Sequence, residues 1–160
     1  MMLSDEEYMQ LALAQASLAA EMGEVPVGAV LVLADGQQFE AHNAPISLHD
    51  PSAHAEIQVI RKACNAMCNY RLLDARLFVT LEPCIMCAGA IIHARIKAVS
   101  YGASEPKTGA VESLYTLLSD NRLNHQTEVH GGVLAEQCSA QIKTFFKARR
   151  RCIQHSVAKT

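Results

Sequence analysis

The 160-residue chain has no tryptophan and only 5% aromatic residues, so its core has to come from aliphatic side chains. It also has no uncharged apolar run long enough to span a membrane. Its first residues, Met1-Met2-Leu3-Ser4-Asp5-Glu6-Glu7, are acidic and lead into no apolar stretch of the kind a signal peptide needs. The location expected from this is the cytoplasm. There the six cysteines (Cys64, Cys68, Cys84, Cys87, Cys138 and Cys152) stay reduced, and a special pair among them reads as metal-binding or catalytic rather than as a disulfide. Internal repeats, low-complexity tracts and linkers are lacking too, so residues 1–160 are expected to form one domain.

What is present is ordinary for a globular protein: half the residues are hydrophobic and 19% are charged, for a net charge of −2. The distribution of charge says more than its sum. Lys143, Lys147, Arg149, Arg150, Arg151 and Lys159 follow the last acid, Glu136, while the rest of the chain carries 8 basic against 16 acidic residues. A basic end on an acidic body is the footprint of a polyanion-binding protein, or else a solvated helix face. Composition leaves both open.

Ser4 and Glu7 form an S-x-x-E capping box. Tyr8, Leu11, Ala12, Ala19 and Met22 recur at helical spacing, which predicts a helix to about Glu21. Val27 to Leu33 is β-branched and apolar. Asp35-Gly36 is a turn signal and Gln37 to His42 the returning strand. After a loop from Asn43 to Pro51, Ser52 is expected to cap a helix over about 53–67, with Ile57, Ile60 and Cys64 on one face. Leu77 to Leu81 reads as a strand, and Pro83 suits the first position of a helix to about His93. A strand at Ala98 to Tyr101, a short helix near 113–118, a strand near 128–130 and a turn at Gly131-Gly132 follow. The final helix is expected from about 135 to 151, with 152–160 as a tail. Alternation of strands and helices after residue 52 predicts parallel pairing, and the opening hairpin adds one antiparallel pair to a mixed sheet.

Two segments stand apart, His54-Ala55-Glu56 and Pro83-Cys84-Ile85-Met86-Cys87. Both fall at predicted helix starts, where the positive end of the helix dipole favours thiolate. Cysteines at i and i+3 share a helix face, and a histidine from another helix start supplies a third ligand. Structural zinc is normally closed by four protein ligands, whereas catalytic zinc keeps one position for water. No second C-x-x-C is present to complete four. Glu56, two residues after His54, would point about 200° away from it on an ideal helix, so both serve one site only if that site lies over the helix end. A lone C-x-x-C can be a redox pair, and H-x-E alone says little. In this order and with this proline, the two segments match the H-x-E then P-C-x-x-C signature of zinc nucleobase deaminases. Cys64 and Cys68 share a face as well, but their apolar setting reads as core. His49 and His93 flank the motifs as structural or supporting candidates.

With these residues in hand, the chain resembles the bacterial tRNA-specific adenosine deaminases of the cytidine-deaminase-like superfamily. The matching stretches are Glu24 to Val30, His49 to Glu56, Asn69-Tyr70-Arg71-Leu72, Val79 to Ala90 and Lys107-Thr108-Gly109-Ala110. Phe145-Phe146 followed by Arg149-Arg150 is similar to the family's C-terminal helix. The resemblance implies a three-layer α/β fold of the cytidine-deaminase type, with a mixed five-stranded sheet between helices. It implies one Zn2+ per subunit on His54, Cys84 and Cys87, Glu56 as the proton shuttle, and substrate contacts from Asn43 and the backbone near Ala55. It further implies a homodimer that converts the wobble adenosine of a tRNA, an arginine tRNA in particular, to inosine. Anticodon-loop contacts would come from Lys107, Phe146, Arg149 and Arg150.

Two departures stand out. Where the family often has Trp-Asn-Arg this chain has His42-Asn43-Ala44, and the Asp-Ala that commonly precedes Lys-Thr-Gly-Ala is Glu105-Pro106 here. The competing readings are a deaminase of free guanine or cytosine, and a non-catalytic RNA-binding protein with a vestigial zinc site.

Overall fold

The structure, a computed structural model, describes residues 2–158. Helix α1 (Asp5–Glu21) starts at the expected capping box, with Ser4 accepting from the Glu7 amide and Glu7 accepting from Ser4 in return. Its buried face is Tyr8, Met9, Ala12, Ala16 and Ala19, whereas Met22 is largely exposed. The alanines let α1 come very close to strand β1 (Gly28–Val32). A Cβ on Gly28 would overlap the Ala12 carbonyl oxygen and the Ala16 nitrogen.

Strand β2 (Gln38–His42) returns from the Asp35-Gly36 turn, where Gly36 has φ +87°. The short helix α2 (Pro45–Leu48) and helix α3 (Ala55–Met67) come next, then β3 (Arg76–Leu81), α4 (Ile85–His93) and β4 (Ala98–Ala103). A 3-10 turn (Leu117–Ser119), β5 (Glu128–Gly131) and α5 (Ala135–Val157) complete the chain. The sheet order is β2-β1-β3-β4-β5, as expected of a mixed five-stranded sheet. β3, β4 and β5 run parallel, while β1 is antiparallel to both β2 and β3, so there are two antiparallel pairings rather than the one expected.

Alternation along the strands makes two apolar layers. Ala29, Leu31, Leu77, Val79, Val99 and Tyr101 face α3 and α4. Val30, Val32 and Phe78 face Tyr8 and Met9 of α1 and Cys138 of α5, joined by Ala103 at the end of β4. The Tyr8 and Phe78 rings stack at 4.8 Å, compact packing from few aromatics.

Several boundaries differ from expectation for identifiable reasons. Ser52 does not cap α3: its amide and hydroxyl are both held by Asp50, and the cap residue is His54. Pro83 precedes the cap of α4, which is Cys84. The helix expected near 113–118 is replaced by turns, because the amides of Val111, Glu112 and Ser113 converge on the Glu82 carboxylate. Gly131 ends β5 rather than beginning a turn. The final helix continues through 152–157, where a tail was expected. Lys159 of the basic end lies outside the described residues.

Candidate active site

His54 and Cys84 occupy equivalent places at the starts of two helices. Each is the cap residue, with extended backbone (φ −69°, ψ 154° and φ −80°, ψ 178°), and neither spends its side chain on capping. Both side chains are therefore free to turn over the helix ends. Cys87 sits one turn into α4 and is fully buried. His54 Nδ1 lies 3.6 Å from Cys84 Sγ and 3.5 Å from Cys87 Sγ. One donor atom from each residue falls within 4.8 Å of the others, a cluster that can hold a metal ion.

Glu56 is the second residue of α3 and is 4% exposed. Because His54 is outside the helix rather than on it, the 200° separation of an ideal helix does not apply, and both residues line the same cavity. Burial pushes the Glu56 carboxyl above the ordinary range, partly countered by its own backbone amide and by His54. The Cys84 thiol is held down to about 4 by hydrogen bonding with Cys87, which with His54 outweighs burial. Cys87 is pushed up by that same bond to Cys84 and by burial. The His54 imidazole is raised, first by its contact with Cys84.

The cavity over this cluster has a volume of about 180 Å³. His54, Glu56 and Cys84 form one part of its lining, Val25, Val27 and Asn43 another, and Glu82 and Thr108 a third. Asn43 is buried and its side-chain amide donates to the Val25 carbonyl (3.3 Å). The buried Glu24 carboxylate, next in sequence to Val25, accepts from the Ile46 and Ser47 amides and the Ser47 hydroxyl, and so fastens α2.

A MafB19-like deaminase family model matches residues 3–150. The chain is 51% identical to a tRNA-specific adenosine deaminase of Haemophilus influenzae over 91% of its own length and 85% of the relative's. It is 46% identical to a tRNA-specific adenosine deaminase of Bacillus subtilis, over 94% and 93%. The chain belongs to the tRNA-specific adenosine deaminase family. A solved structure from work on A-to-I editing by tRNA:A34 deaminases superimposes with a TM-score of 0.81 at 47% identity, covering 84% of this chain and 98% of that one.

The structure thus brings together five of the residues singled out for the family's chemistry: Asn43, His54, Glu56, Cys84 and Cys87. Ala55 is fully buried at the first position of α3, its amide among those a helix start leaves without a helical partner. Lys107 is exposed on the loop whose neighbour Thr108 reaches the cavity. Phe146, Arg149 and Arg150 lie on the exposed second half of α5, and the Arg149 guanidinium stacks 5.9 Å over the Phe145 ring. His49 and His93 are exposed and take no part in the cluster. Cys64 packs against the core as expected, but Cys68 is exposed and ends α3 in the left-handed region. Glu24 and Glu82 were not anticipated. Their partners are backbone amides 22 to 31 residues away, which no spacing rule reveals.

Proposed function

We propose that the protein converts the wobble adenosine of a tRNA anticodon loop to inosine by zinc-dependent hydrolysis. The observation that carries this is the triad of His54, Cys84 and Cys87 beside a buried Glu56, with His54, Glu56 and Cys84 lining one small cavity. Tetrahedral zinc with ordinary Zn–N and Zn–S bonds sets nitrogen and sulfur ~3.6 Å apart, and the observed separations are 3.6 and 3.5 Å. Three protein donors are the count of a catalytic rather than a structural site.

In this reading His54, Cys84 and Cys87 hold one zinc ion per chain. Held there, zinc would supply a bound water that loses its proton near neutral pH. Glu56 takes the proton that the attacking water loses, delivers it to N1 of the adenine, and then helps protonate the departing amine. Adenosine and water become inosine and ammonia. The raised Glu56 carboxyl suits a group that must both accept and return a proton. Asn43 and the Ala55 amide hold the base. The cavity of about 180 Å³ is smaller than the roughly 300–1,000 Å³ of pockets that enclose drug-sized ligands. It therefore suits a flipped base whose ribose and phosphates stay outside. An anticodon loop offers such a base at little unstacking cost.

The names of the relatives support tRNA as substrate, and the basic α5 and Lys107 supply cations for its backbone. The reading extends to an arginine tRNA, to a homodimer and to the cytoplasm. No helix among the described residues is long and apolar enough to cross a membrane. The deciding experiment incubates the zinc-loaded protein with an arginine tRNA bearing wobble adenosine, and in parallel with free adenine, guanine and cytosine. Inosine at the wobble position is expected. Turnover of a free base without conversion of the tRNA would replace this reading with a metabolite deaminase. Zinc content without turnover of any substrate would favour a binding protein.

A further inference from the structure

Glu82 lies between the end of β3 and the Cys84 cap, and is 3% exposed. Among the described residues it makes no ion pair. Its carboxylate instead gathers backbone amides from both ends of one loop. Oε1 accepts from the Glu105 amide (3.1 Å) and the Ser113 hydroxyl. Oε2 accepts from the amides of Val111 (3.2 Å), Glu112 (2.9 Å) and Ser113 (2.9 Å). The span between, 106–110, is closed like a clasp, with Lys107 exposed near its tip and Thr108 in the wall of the cavity.

The clasp is also fastened to the cluster. Gly109 forms an isolated antiparallel bridge with Cys84, and the Ala110 amide donates to the Pro83 carbonyl (2.9 Å). A Cβ at position 109 would overlap the Glu82 carboxylate and the Glu105 carbonyl oxygen, so glycine is what lets carboxylate and loop approach. A buried carboxylate without a cation is costly unless its oxygens are saturated with donors. Four amides and a hydroxyl do so here, and all of them come from this loop.

We propose that Glu82 is a positioning residue that fixes the 105–113 loop in register with Cys84, so that Lys107 and Thr108 are presented to the RNA. The proposal rests on the tRNA reading for its substrate, but the loop's attachment does not. Glu82→Gln would place an NH2 group among donors and release at least one end of the loop. Glu82→Asp is one methylene too short to reach both ends at once. Gly109→Ala keeps the carboxylate but pushes it away.

The test uses zinc-loaded, full-length protein and an anticodon stem-loop RNA with wobble adenosine. For Gly109→Ala the expected result is a KM raised tenfold or more, kcat within threefold of wild type, and unchanged zinc content. Glu82→Gln, whose side chain also lines the cavity, should raise KM by as much with zinc content unchanged. Amide exchange at 105, 111, 112 and 113 should speed up at least tenfold, while that at Ile46 and Ser47, which Glu24 holds, stays the same. Glu82→Asp should recover part of the KM. Lower kcat with unchanged KM, loss of zinc, unaltered exchange or loss of cooperative unfolding in both variants would overturn the proposal. If only Glu82→Gln fails to fold, Gly109→Ala decides. Wild-type protein that converts no RNA adenosine would instead overturn the functional reading, and the exchange measurement would still judge the clasp.

Discussion

As the proposed proton carrier, Glu56 illustrates what a single position must satisfy. It needs burial to raise its carboxyl, proximity to the His54, Cys84 and Cys87 donors, and freedom from coordinating itself. It meets these at the second residue of α3, 4% exposed and outside the three-donor cluster. Removing a positioned general acid–base group typically costs about 10²–10⁴ in rate. Glu56→Ala should therefore lose at least a hundredfold in kcat on the stem-loop RNA, with zinc still bound one to one by elemental analysis. Retention of a tenth of wild-type turnover would remove Glu56 from the proton path. Cys87→Ala should behave differently. It deletes one of three donors, so zinc and activity should fall together, and a chelator should mimic it in wild type until zinc is added back.

That these residues share one site could be read in advance because their motif is carried by residue type and local order. The roles of Glu82, in the pocket wall, and of Glu24, which holds α2, were illegible for the opposite reason. Glu24 and Glu82 bind main-chain amides, which are the same whatever residue supplies them.

Among the elements, α1, the hairpin and the strands were legible because each carries its own periodicity and punctuation. Two boundaries failed because an acidic side chain captured backbone amides. Asp50 takes the Ser52 amide and hydroxyl, and the helix start moves to His54. Glu82 takes the amides of residues 111–113, and no helix forms there. The first of these shifts matters for function, since it places His54 off the helix and lets it share a cavity with Glu56.

The packing of α1 on β1 yields its own prediction. Gly28 meets the backbone of Ala12 and Ala16, where no flexible side chain can give way, and its amide also donates to Thr80 Oγ1 (3.2 Å). Overpacking a core typically costs 1–3 kcal/mol, and an overlap with backbone belongs at the upper end, so Gly28→Ala should destabilise by ~3 kcal/mol. For a chain of this size that is a fall of roughly 6–12 °C in Tm. Thermal unfolding followed by circular dichroism checks it, and a change of less than about 2 °C would mean that α1 slides away freely.

At the scale of the whole molecule, charge is segregated along the chain. The acidic body holds the cluster and the cavity, while α5 gathers Lys143, Lys147 and Arg149 to Arg151. Cys138 anchors the start of α5 in the core, but every residue from Phe146 to Val157 is exposed. A helix end that buries so little contributes little to stability, which makes the proposed RNA contact of its arginines testable apart from folding. Truncation after Lys147 removes Arg149, Arg150 and Arg151 without disturbing the anchored half. Tm should stay within about 2 °C of the full chain, by the same scaling that relates Tm to small changes in stability. Conversion of the anticodon stem-loop should fall at least tenfold in kcat/KM at 150 mM salt. The salt dependence of binding should also flatten, since each phosphate of single-stranded RNA that the protein no longer neutralises lowers the slope of log K against log salt by about 0.7. Fluorescence anisotropy with the labelled stem-loop between 50 and 200 mM salt measures that slope. An unchanged slope would mean that the basic half of α5 meets no phosphate, and that the arginines are only a solvated helix face.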